Sequence, residues 1–135
     1  MAKSLRERVR NRAAGRCEYC HMPEGLARYA AFRLEHIVAK QHGGKDDPEN
    51  LAWSCQRCNL HKGTNLSGVD PLTDQVALLF NPRRQSWKRH FEWFGPLLAG
   101  RTRTGRATVA VLKINDPQYV EVRQAAMEND EWSED

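Results

Sequence analysis

Every cysteine in the chain lies in one of two short turns that could bind a metal ion together. Cys17 and Cys20 form CEYC, Cys55 and Cys58 form CQRC, and 34 residues separate the two pairs. A C-x-x-C turn lets two thiolates converge on one tetrahedral ion, and a second turn completes the site. Four thiolates leave no open position, so the pattern predicts a structural zinc site. Two disulfides or a redox pair are the alternatives, and neither suits a basic chain without a secretory signal.

A second set of reactive residue types lies near the two cysteine pairs. Glu35 and His36 begin the segment EHIVAKQHGG. Asn50, Asn59 and Lys62 lie further along the chain. Carboxylate and amide oxygens suit magnesium or manganese, a histidine is a general base near neutral pH, and a lysine holds a phosphate as a point charge. The set would serve metal-assisted phosphodiester hydrolysis. Taken singly, the first four residues also have ordinary interpretations: an ion pair, a half-buried histidine, a turn-end hydrogen bond and a helix cap, respectively.

The local patterns around these residues predict a strand, a loop, a second strand and a helix. We expect a basic helix with Ser4 as its N-cap, and then the following elements: strand 32–38, loop 41–50, strand 51–55 and helix 56–63. This is a ββα unit between the cysteine pairs. Because neighbouring residues on a strand point to opposite faces, Glu35 and His36 could serve one phosphate only under certain conditions. The strand must twist or end there, or the phosphate must lie over its edge.

These motifs resemble those of a known family. EHIVAKQHGG, followed by ENLAWSCQRCNLHKG between two C-x-x-C turns, resembles the HNH endonucleases, in particular their zinc-knuckle bacterial branch, as an H-N-N variant. The resemblance implies an α+β fold: a small zinc-stabilised ββα-metal (HNH, or His-Me finger) core with an N-terminal helix and a C-terminal α/β extension. It also implies hydrolysis of DNA phosphodiester bonds, by nicking or double-strand cleavage, with RNA as the alternative substrate.

The resemblance also implies a role for each residue of the motif. His36 would be the general base, Glu35 and Asn59 would bind the catalytic magnesium or manganese, Asn50 would hold His36 in orientation, and Lys62 would contact phosphate. The sequence departs from the family pattern in having Glu35 where Asp is commoner and Asn59 where His is common. An amide in place of an imidazole favours magnesium or manganese over softer metals.

The C-terminal half has weaker signals. We expect a strand at 76–80, a helix at 84–94 and a strand at 95–102. The pattern leaves a strand and a buried helix open at 107–114, and it predicts a helix capped by Asp116. Trp87, Phe91 and Phe94 have helical spacing and are expected in the core. The expected division is an HNH core at 1–66, an extension packed on it at 67–126, and an acidic, frayed tail at 127–135.

Charge suggests the kind of partner. The net charge is +4, yet the last twelve residues hold five acids and no base, so the body is strongly basic. Such a body favours a polyanion, although a solvated surface is the ordinary alternative. Candidate nucleic-acid contacts are His61, Arg83, Arg84, Lys88, Arg89 and Arg106.

Location and competing functions can also be stated from the sequence. Because no apolar run approaches the roughly 18 residues of a membrane span, we expect a cytoplasmic protein without a membrane partner. The competing function is a zinc-stabilised nucleic-acid-binding module with weak or no nuclease activity. An interaction protein, whose acidic tail screens its basic face, is a third possibility. The oligomeric state stays open.

Overall fold

A computed structural model describes residues 2–26 and 31–133, with the backbone alone for residues 2–4. Its elements, in chain order, are α1 Ala2–Arg12, β1 Arg33–His36, β2 Leu51–Ser54, α2 Gln56–Lys62, β3 Ser67–Val69, β4 Val76–Leu78, α3 Trp87–His90, β5 Phe91–Phe94, β6 Leu97–Gly100, α4 Arg103–Val111 and α5 Pro117–Glu128. Within the described ranges, the strands form three antiparallel two-stranded sheets: β1 with β2, β3 with β4, and β5 with β6. The predicted α+β class is confirmed. The chain divides into two compact units, the first comprising Met1–Leu66 with Asn81–Arg84, and the second Ser67–Phe80 with Gln85–Asp135.

The first unit is built on the β1–β2 hairpin. Its register pairs Glu35 with Ala52 and His36 with Leu51, and every residue of β2 is buried. Helix α1 is bonded to this hairpin by Arg12, whose guanidinium donates to Leu51 O at 2.7 Å and to the carbonyl of Pro48 at 3.0 Å. A helix that carries so many charges thus docks through side-chain hydrogen bonds as well as through apolar packing. The helix begins at Ala2, so the prediction that Ser4 is its N-cap is wrong.

The loop between β1 and β2 folds back sharply because of its two glycines. Two 3-10 turns, Lys40–His42 and Pro48–Asn50, lie within it. Gly43 has a φ of 88°, in the left-handed region that other residues enter at a cost. Gly44 is needed for space, since a Cβ there would lie 1.7 Å from Val38 O. Gly43 is therefore needed for its backbone conformation, and Gly44 for its lack of a side chain.

In the second unit, the extension contains one turn of helix where the sequence predicted three. Residues 84–94 were expected to be helical, but α3 ends at His90 and β5 follows, paired with β6. Of the three aromatic residues expected in the core, Phe91 is buried, as predicted, and the half-buried Trp87 packs against it with ring centroids 5.1 Å apart. Phe94 is 61% exposed, so its predicted core position is wrong. At 107–114, where strand and helix were both open, most residues lie in α4. Helix α5 begins as predicted, with the Asp116 side chain accepting from Gln118 N.

A buried ion pair ties the β3–β4 hairpin to α4. Asp70, fully buried, accepts from the Arg106 guanidinium at 2.8 and 2.9 Å, and it also accepts from Leu72 N and the Thr73 hydroxyl. The hydrogen bonds from Arg106 hold the pKa of the Asp70 carboxyl well below its ordinary value. Gly68, on β3, packs directly against α4, because a Cβ at this position would lie 2.3 Å from Val111 Cγ2.

We predict that Asp70→Asn lowers the stability of the fold at neutral pH and has a smaller effect in acid. A carboxylate whose pKa is lowered in the folded state stabilises the fold at pH values above its unfolded pKa, about 3.9. That stability is lost as the pH falls through the pKa that the carboxyl has in the folded state. The difference in thermal midpoint between the parent and Asp70→Asn should therefore be large at pH 7 and shrink below about pH 4. Asp74→Asn, in the same turn but exposed, is the matched control. A difference independent of pH would contradict this role of Asp70.

Candidate active site and zinc site

The four cysteine sulfurs lie together in the first unit. All four residues are buried, and their sulfur atoms lie within 4.8 Å of one another. The Sγ atoms of Cys20 and Cys55 are 3.7 Å apart, too far for a disulfide bond of about 2.05 Å. A tetrahedron with zinc–sulfur bonds of about 2.3 Å has edges of about 3.8 Å. The donor set and its spacing therefore fit a structural zinc ion, as the sequence predicted.

Glu35 lies on the buried face of β1, at 3% exposure. The Tyr19 hydroxyl donates to its Oε2 at 2.6 Å, and the Lys62 ammonium lies 2.5 Å from its Oε1. Oε1 accepts no well-aligned hydrogen bond within the described residues, so its contact with the ammonium is a charge pair. Burial raises the pKa of Glu35, and the opposing effects of Lys62 and Tyr19 are smaller. The carboxylate is thus held from two sides, and one of its oxygens faces a cation.

Lys62 is itself buried, at 2% exposure. Its ammonium donates to Ile37 O at 3.0 Å and lies 3.4 Å from the carbonyl oxygen of His36. The expected contact of Lys62 with phosphate does not fit this placement, because the ammonium is turned inward and its charge is already paired. Lys62 instead holds the end of β1 against α2.

His36 is the last residue of β1 and lies on the face opposite Glu35, with its side chain 29% exposed. Its Nε2 lies 2.6 Å from Asp46 Oδ1, and Lys40 Nζ lies 3.3 Å from the other oxygen of that carboxylate. The hydrogen bond with His36 lowers the pKa of Asp46. Because a carboxylate only accepts hydrogen bonds, Nε2 must carry the proton. The neutral ring therefore has its free lone pair on Nδ1.

Asn50 bridges the loop that follows His36. Its amide oxygen accepts from Val38 N at 2.9 Å, and its amide nitrogen donates to the carbonyls of Val38 and Lys45, also at 2.9 Å. The backbone carbonyl of Asn50 accepts from Ile37 N. Asn50 therefore bonds across the loop to its backbone, and the role of Asn50 toward His36 stays a prediction.

Asn59 lies in α2, directly after Cys58, and is half-buried. Its side-chain amide makes no hydrogen bond within the part of the chain that the structure describes. Its backbone continues the helix, accepting from Gly63 N at 2.9 Å. Its role as a metal ligand stays a prediction.

The candidate nucleic-acid contacts fall into two groups. Arg83 forms an ion pair with Glu18 and is 9% exposed, and burial lowers the pKa of Arg83 to about 10. Arg106 is paired with Asp70. Neither placement presents an unpaired charge to a phosphate, so these two arginines serve the fold. The others are half-buried His61, in the last turn of α2, and the exposed residues Arg84, Lys88 and Arg89.

Two residues of this site were missed by the sequence reasoning. Asp46 lies in the acidic part of the loop, in KDD, and Tyr19 is a middle residue of CEYC. A search for an acid that orients the proposed base would have found Asp46 as one of several candidates. No sequence signal singles out Tyr19, because its partner Glu35 becomes a neighbour only in the folded chain.

Comparison with known proteins gives one family match and one curated relative, each over part of the chain. Residues 17–65 match the family model for HNH endonuclease, and the resemblance seen in the sequence is confirmed for this segment. Septu protein PtuB of Bacillus thuringiensis is 36% identical over 66 residues, covering 49% of this chain and 23% of that protein. The chain thus spans less than a quarter of the length of this relative. No solved structure matches, and none of the described helices is long and apolar enough to cross a membrane.

We predict one zinc ion per chain, held by the four cysteines. Cys58→Ser should lose the metal and lower the thermal midpoint of unfolding, because binding free energy at a structural zinc site contributes directly to folding. Elemental analysis and a thermal scan check this. Ser54→Ala, a change at a buried neighbour, is the control that should keep its zinc. Full zinc content in Cys58→Ser would contradict a four-cysteine site.

We predict a large cost for removing the charge of Lys62. Lys62→Met keeps the length of the side chain but leaves Glu35 buried without its counter-charge, which typically costs about 3–5 kcal/mol. The free energy of unfolding in urea measures this. Lys40→Met is the control, since Lys40 is 66% exposed and its pair with Asp46 is screened by water, so its loss should change stability little. Equal losses in the two variants would contradict the buried pairing.

Proposed function

We propose that this protein is a metal-dependent HNH endonuclease that hydrolyses DNA phosphodiester bonds, with His36 as its general base. The observation that carries the proposal is the hydrogen bond between His36 Nε2 and Asp46 Oδ1, at 2.6 Å. It leaves the Nδ1 lone pair of a partly exposed imidazole available to accept a proton. A histidine needed only for packing would not require an acid to select its tautomer.

In the proposed reaction, His36 Nδ1 takes the proton from the attacking water. Asp46 then faces the positive imidazolium that results, and its carboxylate stabilises that charge. Because Asp46 is 62% exposed, water and salt screen this pair, so it orients the ring more than it stabilises the fold. Asn50 holds the loop two residues after His36 and limits movement of the base.

Glu35 and Asn59 are the residues that would hold the catalytic magnesium or manganese ion. Carboxylate and amide oxygens suit these hard cations. A bound ion would supply positive charge to the phosphate and to the leaving oxygen. Since Lys62 now neutralises Oε1, its ammonium would compete with the ion for that oxygen.

Several features support a nucleic-acid substrate. The chain is basic, and Lys45 in the site loop is exposed, as are Arg84, Lys88 and Arg89. Exposed cations bind the phosphate backbone without regard to sequence and release its counterions, so affinity should fall steeply with salt. RNA offers the same phosphates and is the alternative substrate.

The test is cleavage of supercoiled plasmid by the full chain with magnesium, manganese or EDTA. We predict that the parent nicks only with a divalent ion, and that His36→Ala reduces the rate by about 10²–10⁴-fold, the usual contribution of a general base. Asp46→Asn should cause a smaller loss. Asp47→Asn, a change at the adjacent loop acid, is the matched control and should retain activity.

Zinc content and DNA affinity are measured for each variant, so that a folding defect is recognised. The alternative is a zinc-stabilised nucleic-acid-binding module. It predicts that parent and variant bind DNA equally and that neither nicks it. Equal cleavage by the parent and His36→Ala would instead show that His36 is not the base.

A further inference from the structure

The two faces of the β5–β6 hairpin, in the second unit, differ in character. Phe91, which is buried, lies on one face with Trp93. Strand alternation places Glu92 and Phe94 on the other face. Phe94 is 61% exposed and lies directly opposite Leu97, which is 47% exposed. The Phe94 ring contacts no other aromatic ring in the described part of the chain. One end of this face therefore presents a large aromatic ring to solvent.

The hairpin that carries Phe94 is held firmly by the rest of the second unit. Arg123 of α5, which is buried, donates from its Nε to Pro96 O at 2.7 Å. The side-chain amide of Asn115 accepts from Leu98 N at 2.9 Å and donates to Leu98 O at 2.8 Å. These bonds fix the turn and the second strand of the hairpin. The direction of the Phe94 side chain is thus set by the fold, and a ligand would order little of the backbone on binding.

Positive charge lies at the other end of the same face. The Arg101 guanidinium lies 3.6 Å from Glu92 Oε2, and Glu92 shares its face with Phe94. Arg101 also donates to Lys88 O at 3.3 Å, which brings the end of α3 beside it. Lys88 and Arg89 are exposed, and their side chains make no hydrogen bond or ion pair within the described ranges. The face therefore combines an exposed ring with a cluster of cations.

The acid between the ring and the cations leaves Arg101 available to another anion. The side chains of Arg101 and Glu92 are 54% and 45% exposed, and an ion pair so exposed is screened by water and salt. A phosphate group accepts two parallel hydrogen bonds from one guanidinium. It can therefore replace the Glu92 carboxylate at Arg101, so Glu92 lowers the affinity of this face for phosphate without blocking it.

We propose that this face of the β5–β6 hairpin binds a single-stranded segment of nucleic acid, with a base stacked on Phe94 and neighbouring phosphates at Arg101 and Lys88. Proteins that bind single strands combine a positively charged surface with aromatic side chains on which bases stack. A duplex fits this face less well, because its bases are already stacked on one another inside the helix. The inference rests on the proposed function in taking nucleic acid as the ligand, and it assigns the binding of unpaired segments to the second unit.

The test measures binding of the zinc-loaded full chain to a short labelled oligothymidine strand and to a duplex of the same length. Fluorescence anisotropy is recorded without added magnesium or manganese. Phe94→Ala should weaken binding to the single strand by about 5–150-fold, the usual effect of removing one aromatic ring that stacks on a base, and should change duplex binding little. Phe94→Trp keeps an aromatic surface and should retain the affinity of the parent. Leu72→Ala, at a 74% exposed apolar residue in the β3–β4 turn, is the matched control and should bind as the parent does.

The charged end of the face is tested by the dependence of affinity on salt. Arg101→Gln should reduce the slope of log affinity against log salt by about 0.7 on the single strand, the contribution of one phosphate contact. Lys113→Gln, at an exposed lysine between α4 and α5, should leave the slope unchanged. Glu92→Gln should tighten binding, because it releases Arg101 from its carboxylate partner. A slope that Arg101→Gln does not change would contradict the phosphate contact.

The outcomes separate this inference from the nuclease proposal. Equal affinity of the parent and Phe94→Ala for the single strand, or an equal loss on strand and duplex, overturns the inference and leaves the nuclease proposal standing. If Phe94→Ala instead breaks a dimer of the parent in analytical ultracentrifugation and leaves nucleic-acid affinity unchanged, the face is an interface between copies, and the inference is again overturned. Single-strand binding that depends on Phe94, in a parent that nicks no plasmid, supports the inference and contradicts the proposed function. A parent that binds neither probe contradicts both.

Discussion

The first unit depends on bringing four sulfur atoms together from two turns that are 34 residues apart in the sequence. The chain is polar, with a mean hydropathy of −0.74, and its strands are only three or four residues long. Short two-stranded hairpins are marginally stable in water without further support. A metal ion bound by both turns would close the intervening segment and fix the hairpin, the loop and α2 in one arrangement. The polar residues of the candidate site can then be held without a large apolar core.

The buried pair of Glu35 and Lys62 is hard to explain by stability alone. Burying two charges costs desolvation free energy that their attraction often does not recover, and apolar residues of similar volume commonly stabilise a fold as well or better. Here the carboxylate has one oxygen without a well-aligned hydrogen bond, although it lies at 3% exposure. That oxygen faces the Lys62 ammonium at 2.5 Å, and the same ammonium lies against the carbonyls at the end of β1, so the pair holds α2 against β1 at some cost in stability.

The sequence predicted those parts of the structure that local pattern determines. The C-x-x-C spacing, the glycine pair and the short apolar runs predicted the zinc turns and the order strand, loop, strand, helix, because each signal lies within a few residues of its effect. It failed at 84–94, where helical aromatic spacing was overridden by pairing of β5 with β6. It also could not reveal that Arg83 and Arg106 are paired, since their partners Glu18 and Asp70 lie far away in sequence.

Glu35 and His36 are neighbours at the end of one strand, where the sequence left the relative placement of their side chains open. Strand alternation does separate the pair: Glu35 faces inward to Tyr19 and Lys62, and His36 faces outward to Asp46. Yet β1 ends at His36, and beyond that residue the backbone leaves the pleat and enters the loop. The hydrogen bond from Asn50 to Val38 O and the close backbone approach at Gly44 fix the start of this loop. The motif thus places Glu35 and His36 side by side at the end of β1, with the carboxylate held inside by Tyr19 and Lys62 and the imidazole held outside by Asp46.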